Sequence, residues 1–156
     1  MKIRVKPLII SLLIPLAVGG LSALLTRNSM EAFGALNQPP LSPPGWLFPV
    51  VWTVLYLLMG FASYLVFVNG RNRRKVQNAL FVYGVQLFFN FLWSIIFFNQ
   101  ERYFFAFFWL LALWVLILIT LVLFYRIHKP AGLLFIPYLV WVTFAGYLNL
   151  GIALLN

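Results

Sequence analysis

The chain has 156 residues, 64% of them hydrophobic and only 8% charged, with a mean hydropathy of +1.00. An average soluble domain carries about 25% charged residues, so this composition describes one polytopic membrane domain, and an all-α one. Cysteine and aspartate are absent, Glu31 and Glu101 are the only acidic residues, and His128 is the single histidine. Disulfide frameworks, thiolate nucleophiles, iron–sulfur sites, carboxylate dyads, Ser-His-Asp triads and carboxylate metal sites all require residues missing here.

A transmembrane helix needs roughly 20 apolar residues. Five segments qualify, at about Leu8–Leu25, Trp46–Val68, Val76–Phe98, Tyr103–Tyr125 and Gly132–Leu155, within a single domain spanning 1–156. The first is longer than the h-region of a signal peptide and lacks a clear Ala-x-Ala site, so it is read as a retained helix. Only the first connection, residues 26–45, is long. Within it begins the stretch around which the rest is organised, Pro39–Gly60, where a proline-rich segment feeds an aromatic helix. Proline lacks an amide donor and restricts the preceding residue, which makes this loop a stiff cap, or lid.

The formal charge of +9 does not point to nucleic acid, because the basic residues sit at the ends of the apolar segments. Placing the amino terminus inside puts Lys2, Arg4, Lys6, Arg71, Arg73, Arg74, Lys75, Arg126 and Lys129 inside, against Arg27 and Arg102 outside. That bias predicts the amino terminus in, the carboxyl terminus out and the proline-rich loop outside.

Residues at i, i+4 and i+7 or i+8 share a helix face, and this spacing marks the inward rows. Ser11, Pro15, Gly19 and Ser22 form one on the first helix, and Trp52, Tyr56, Gly60 and Ser63 another on the second. Gln86, Asn90 and Ser94, with Trp93 beside them, lie on the third. Trp141, Ala145 and Asn149 lie on the fifth, with Pro137 and Tyr138 one turn earlier. Polar side chains facing lipid are unfavourable, so these rows face the bundle interior. The fourth helix has Thr120 as its only polar side chain from Phe104 to Phe124, and is expected to be the most exposed to lipid or a subunit. Pro15 and Pro137 are candidate bends. No internal repeat is apparent, which weighs against inverted-repeat transporters, and no intramembrane acid or histidine offers a proton relay.

Trp52, Tyr56 and Trp141 with Asn90 and Asn149 have the makings of a small-molecule site, mostly apolar with a few convergent polar groups. The competing reading is that Trp and Tyr form interfacial belts and the amides bridge helices; Trp46 and Tyr103, at helix ends, fit a belt. Arg71–Lys75 reads as a topology anchor before it reads as a site for anionic lipid. Leu123–Lys129 satisfies only the loose cholesterol-motif pattern. Gly19-x-x-x-Ala23 is a short helix-contact motif.

Three stretches carry a resemblance: Ser42–Gly60 (SPPGWLFPVVWTVLYLLMG), Gln86–Phe98 (QLFFNFLWSIIFF) and Pro137–Asn149 (PYLVWVTFAGYLN). With five spans and one long first loop, the chain resembles the translocator protein family, also called tryptophan-rich sensory proteins or peripheral benzodiazepine receptors. The resemblance implies a five-helix bundle, often a homodimer, whose first loop lids a pocket. It implies a bacterial-type member in the cell membrane that binds porphyrins such as protoporphyrin IX and benzodiazepine-site ligands. The pocket residues it implies are Pro44, Trp52, Asn90, Trp141 and Ala145, and Tyr56 joins them one turn past Trp52. It also links Trp52 and Trp141 to light-dependent porphyrin degradation, the one enzymatic activity in view. Transport of porphyrin or lipid is the other alternative to binding.

Leu41 stands where many members have a tryptophan, so binding follows from the resemblance more directly than porphyrin chemistry does. The chain ends at Asn156 without the basic tail of animal members, so cholesterol transport is not expected. No axial heme ligand is evident, and a metal-free porphyrin fits better than heme. No resident cofactor or metal is expected. The expected partners are a hydrophobic small molecule, membrane lipid and a second copy of the chain.

Overall fold

The computed structural model describes residues 3–156, so Lys2, counted above among the inside charges, lies outside the described residues. Among the described residues every regular element is helical. Helix α1 (Val5–Thr26) runs through a 3₁₀ turn into short α2 (Met30–Gly34). After the loop come α3 (Leu47–Asn69), α4 (Arg73–Ser94), α5 (Tyr103–Ile127), α6 (Lys129–Leu133) and α7 (Ile136–Leu155). Five helical stretches are long and apolar enough to cross a membrane, the fifth being α6 and α7 together.

Local chemistry sets the breaks between them. The Asn72 side chain accepts from the Lys75 amide at 3.2 Å and starts α4, satisfying a donor that the first helical turn leaves open. Helix α4 leaves its regular course in a π-helical turn, Ile95–Asn99, and Glu101 then takes φ 53° to reverse the chain into α5. Pro15 stays inside α1, whereas Pro137 falls in the first turn of α7, immediately after the break at Leu134–Phe135. A proline is tolerated in a first turn because its missing N–H would be unpaired there anyway.

Helix α1 packs against α3, α4 against α5, and α5 also against α6 and α7. The α1–α3 seam is close. A Cβ at Gly60 would sit 2.7 Å from the Ser11 carbonyl oxygen and 3.1 Å from Leu12 Cα, so only glycine lets the two backbones approach this far. The inward rows are mostly covered: Pro15, Ser22, Tyr56, Gly60, Ser63, Gln86, Asn90, Trp93, Tyr138, Ala145 and Asn149 are buried, Ser11, Gly19, Trp52, Ser94 and Trp141 are half-buried, and Pro137 is exposed.

The fourth span is not the most exposed, contrary to expectation. Only 11% of the first span's apolar stretch is buried inside the bundle, against 28% of the fourth's. Helix α5 buries Ala106, Leu110, Leu113, Ile117, Thr120 and Phe124 along one stripe, because it sits between α4 and the α6–α7 pair. Counting polar residues misleads here, since lipid is as apolar as leucine and an all-apolar helix can be central or peripheral.

Candidate ligand site

Helices α3 and α7 meet through rings. Their backbones make almost no close approach, and the space is bridged by Phe48 and Trp52 from α3 and by Tyr138 and Trp141 from α7. Trp52 stacks on Tyr56 with centroids 5.6 Å apart and planes at 29°, and stands edge-on to Tyr138 at 6.2 Å and to Trp141 at 6.5 Å. Phe48 meets Trp141 at 5.9 Å. These are the offset and edge-to-face arrangements that the ring quadrupole favours. Gly19 on α1 provides the seat, because any side chain there would run into the Tyr56 ring.

Beneath the rings lies a chain of buried hydrogen bonds. The Tyr56 hydroxyl donates to Asn90 Oδ1 at 3.1 Å, and Asn90 Nδ2 donates to the Tyr138 hydroxyl at 2.7 Å. Tyr138 in turn donates to Gln86 Oε1 at 2.7 Å. Three helices are thereby joined through side chains that would be unfavourable if left unpaired at this depth. A second link runs from Trp93 Nε1 to Asn149 Oδ1 at 3.0 Å, and from Asn149 Nδ2 to the Tyr103 carbonyl at 2.8 Å. Within the ring cluster Trp141 departs from this: its indole Nε1 is buried with no hydrogen-bond partner among the described residues, as are the Ser22 and Tyr83 hydroxyls elsewhere in the bundle.

The first loop is tied to the carboxyl-terminal turns of α7. Asn156 accepts from the Asn37 amide at 3.2 Å and donates to the Asn37 carbonyl at 2.8 Å. Tyr147 Oη donates to the Pro40 carbonyl at 2.6 Å. Pro39 is buried against Gly151, where an added Cβ would lie 2.5 Å from the proline ring. Leu41 then takes φ 70°, a left-handed conformation uncommon for leucine, and is 83% exposed. Along the flank between α3 and α7 runs an apolar groove of about 580 Å³, lined by Val51, Leu55, Pro137, Val140, Trp141 and Phe144 among others.

The TspO/MBR family profile matches residues 11–155. The chain belongs to the TspO/MBR family. It is 38% identical to the tryptophan-rich protein TspO of Chlorobaculum tepidum over 142 residues, 90% of each chain. It is 37% identical to the tryptophan-rich protein TspO of Archaeoglobus fulgidus, over 98% of this chain and 99% of that one. The translocator protein of Bos taurus is 32% identical over 88% of this chain and 82% of its own. With five membrane-spanning helices, this TspO/MBR chain is an integral multi-pass membrane protein.

Against this family background, the structure places Trp52, Tyr56 and Trp141 in one ring cluster, with Asn90 directly behind Tyr56. Ala145 is buried one turn beyond Trp141. Pro44 stands apart: it is exposed at the end of the loop, and its carbonyl accepts from the Leu47 amide at 3.0 Å to open α3. Tyr138, Phe48 and Gln86 belong to the cluster and its support but were not singled out as site residues. The signal for Tyr138 was its place three residues before Trp141, on the same face of the helix. Gly19 makes its contact inside the chain, on Tyr56.

Proposed function

We propose that this TspO/MBR protein binds flat hydrophobic ligands, porphyrins such as protoporphyrin IX first and benzodiazepine-site compounds second, between Trp52 and Trp141. One observation carries the reading: a buried indole N–H on Trp141 has no partner, in the middle of an aromatic cluster. An unpaired buried donor is rare and unfavourable, and a ligand acceptor would satisfy it while the rings cover the ligand's faces. The rings now rest on one another, so a macrocycle requires Trp52 and Trp141 to part.

In this reading Asn90 acts through the tyrosines, since its amide holds the hydroxyls of Tyr56 and Tyr138 and fixes both rings. The short side chain of Ala145 leaves room one turn away, and Pro44 ends the lid. The single five-helix domain is oriented with its amino terminus inside, as the charge asymmetry supports, and works as a homodimer in a bacterial cell membrane.

The test is a porphyrin titration of the Trp52→Phe, Trp141→Phe double variant, followed by porphyrin fluorescence, with helicity checked by circular dichroism. Each aromatic contact contributes about 0.5–1.5 kcal/mol, so the pair of changes weakens binding about tenfold or more. A correctly folded variant with unaltered affinity overturns the reading.

A further inference from the structure

The candidate site is sealed differently on its two approaches. At the loop end, the chain is held down by both hydrogen bonds of Asn37 to Asn156, by Tyr147 on Pro40, and by Pro39 packed on Gly151. Along the α3–α7 flank, no hydrogen bond joins the two helices among the described residues, and the groove between them is apolar throughout apart from one indole. That indole is Trp141, which lines the groove and also stands edge-on to Trp52, with ring centroids 6.5 Å apart. It is the partition between the groove and the ring cluster.

Among the described residues no hydrogen bond ties the Trp141 ring in place, nor that of its neighbour Trp52. Trp93, Trp109 and Trp114 each donate Nε1–H to a protein acceptor, at 3.0, 2.9 and 2.9 Å. Trp141 Nε1 donates to none. A bulky side chain held by packing alone changes rotamer without breaking a hydrogen bond, whereas Trp93, Trp109 and Trp114 cannot. The groove beside it meets hydrocarbon: Val140 is 63% exposed and Ile136 44% exposed at its edge, on a helix that spans the membrane. No water is available at that depth to accompany a polar solute, so only a lipid-soluble molecule can approach along this face.

We propose that the α3–α7 groove is a lateral portal through which a flat, lipid-soluble ligand passes directly from the bilayer to the ring cluster. Trp141 swings as its gate while the loop end stays latched. The inference rests on the ligand-binding reading above and adds the route and the class of ligand able to take it. A water-soluble porphyrin that does not partition into lipid is excluded by this route.

The chain contains no cysteine, so a disulfide can be placed without competing thiols. In the Asn37→Cys, Asn156→Cys variant the loop is bonded covalently to the end of α7, between residues that are already hydrogen-bonded neighbours. Protoporphyrin IX association is followed by stopped-flow quenching in phosphatidylcholine vesicles, before and after reduction. A lateral route leaves the association rate the same in the oxidised and reduced forms.

In a second variant, Val140→Trp, a large ring fills the groove mouth outside the cluster. It slows association and dissociation by the same factor, about tenfold for a modest added barrier, and leaves Kd unchanged. Binding that is lost on oxidation and restored by reduction overturns the portal in favour of the loop end, as do unaltered rates in Val140→Trp. Absence of binding in the reduced, unobstructed protein overturns the ligand reading, and the portal falls with it.

Discussion

On one flank of α3 the backbone of α1 comes into contact at Gly60; on the other, α7 is held away by Phe48, Trp52, Tyr138 and Trp141. The first seam depends on the absence of a side chain, the second on the largest side chains available. A backbone-to-backbone contact has no spare arrangement, because nothing in it can rotate away. A contact made of rings has several, since each ring has its own rotamers. The same helix therefore presents a fixed scaffold on one side and an adjustable wall on the other.

The tight seam breaks most easily. Gly60→Leu drives a branched side chain into the Ser11 carbonyl and Leu12, and no folded protein is expected in the membrane fraction. The milder Gly60→Ala costs about 1–3 kcal/mol, read as a lowered midpoint in detergent unfolding. The same measurement on two tryptophans sharpens the contrast. Trp93→Phe removes a donor bonded to Asn149, which adds about 1 kcal/mol to the loss of ring packing. Trp141→Phe removes a donor with no partner, so it loses ring packing alone and costs about 1 kcal/mol less than Trp93→Phe. Equal costs would mean that the two rings are held alike.

Much of the fold was readable in the sequence, though not this contrast. The five spans follow from the length of the apolar runs, and the all-helical class from the need to satisfy backbone groups inside lipid. The i, i+4 rows identified the buried faces of α1, α3, α4 and α7, because Gln86, Asn90 and Asn149 have no favourable place in lipid. The exposure of the first and fourth spans was not readable, because Leu and Phe report nothing about whether lipid or protein covers them. Nor was the latch: Asn37 and Asn156 lie 119 positions apart, and no local pattern links a loop amide to a terminal asparagine. The sequence placed Asn90, with Asn149, beside Trp52 and Trp141 as one of a few polar contacts. It could not show that two tyrosines already occupy the amide, which depends on helix rotation and depth.

The smallest expected effect lies at the latch. Asn156→Ala deletes both of its hydrogen bonds to Asn37 on the exposed end of the bundle, where such bonds contribute little to global stability. The unfolding midpoint stays unchanged, while amide exchange speeds up at residues 37 and 41 and not in α3. Slower or unchanged exchange there would show that Tyr147 and Pro39 hold the loop without it.

The most direct test compares the two flanks of α3 in one protein. Spin labels at Val54→Cys and Val140→Cys straddle the ring-filled seam, and labels at Leu13→Cys and Phe61→Cys straddle the glycine seam, all at exposed positions of a cysteine-free chain. Dipolar broadening is recorded for each pair with and without protoporphyrin IX. An adjustable α3–α7 wall predicts that the Val54–Val140 distance lengthens when porphyrin binds while the Leu13–Phe61 distance stays fixed. Bound porphyrin with no change across α3–α7, or an equal change across both seams, would contradict it.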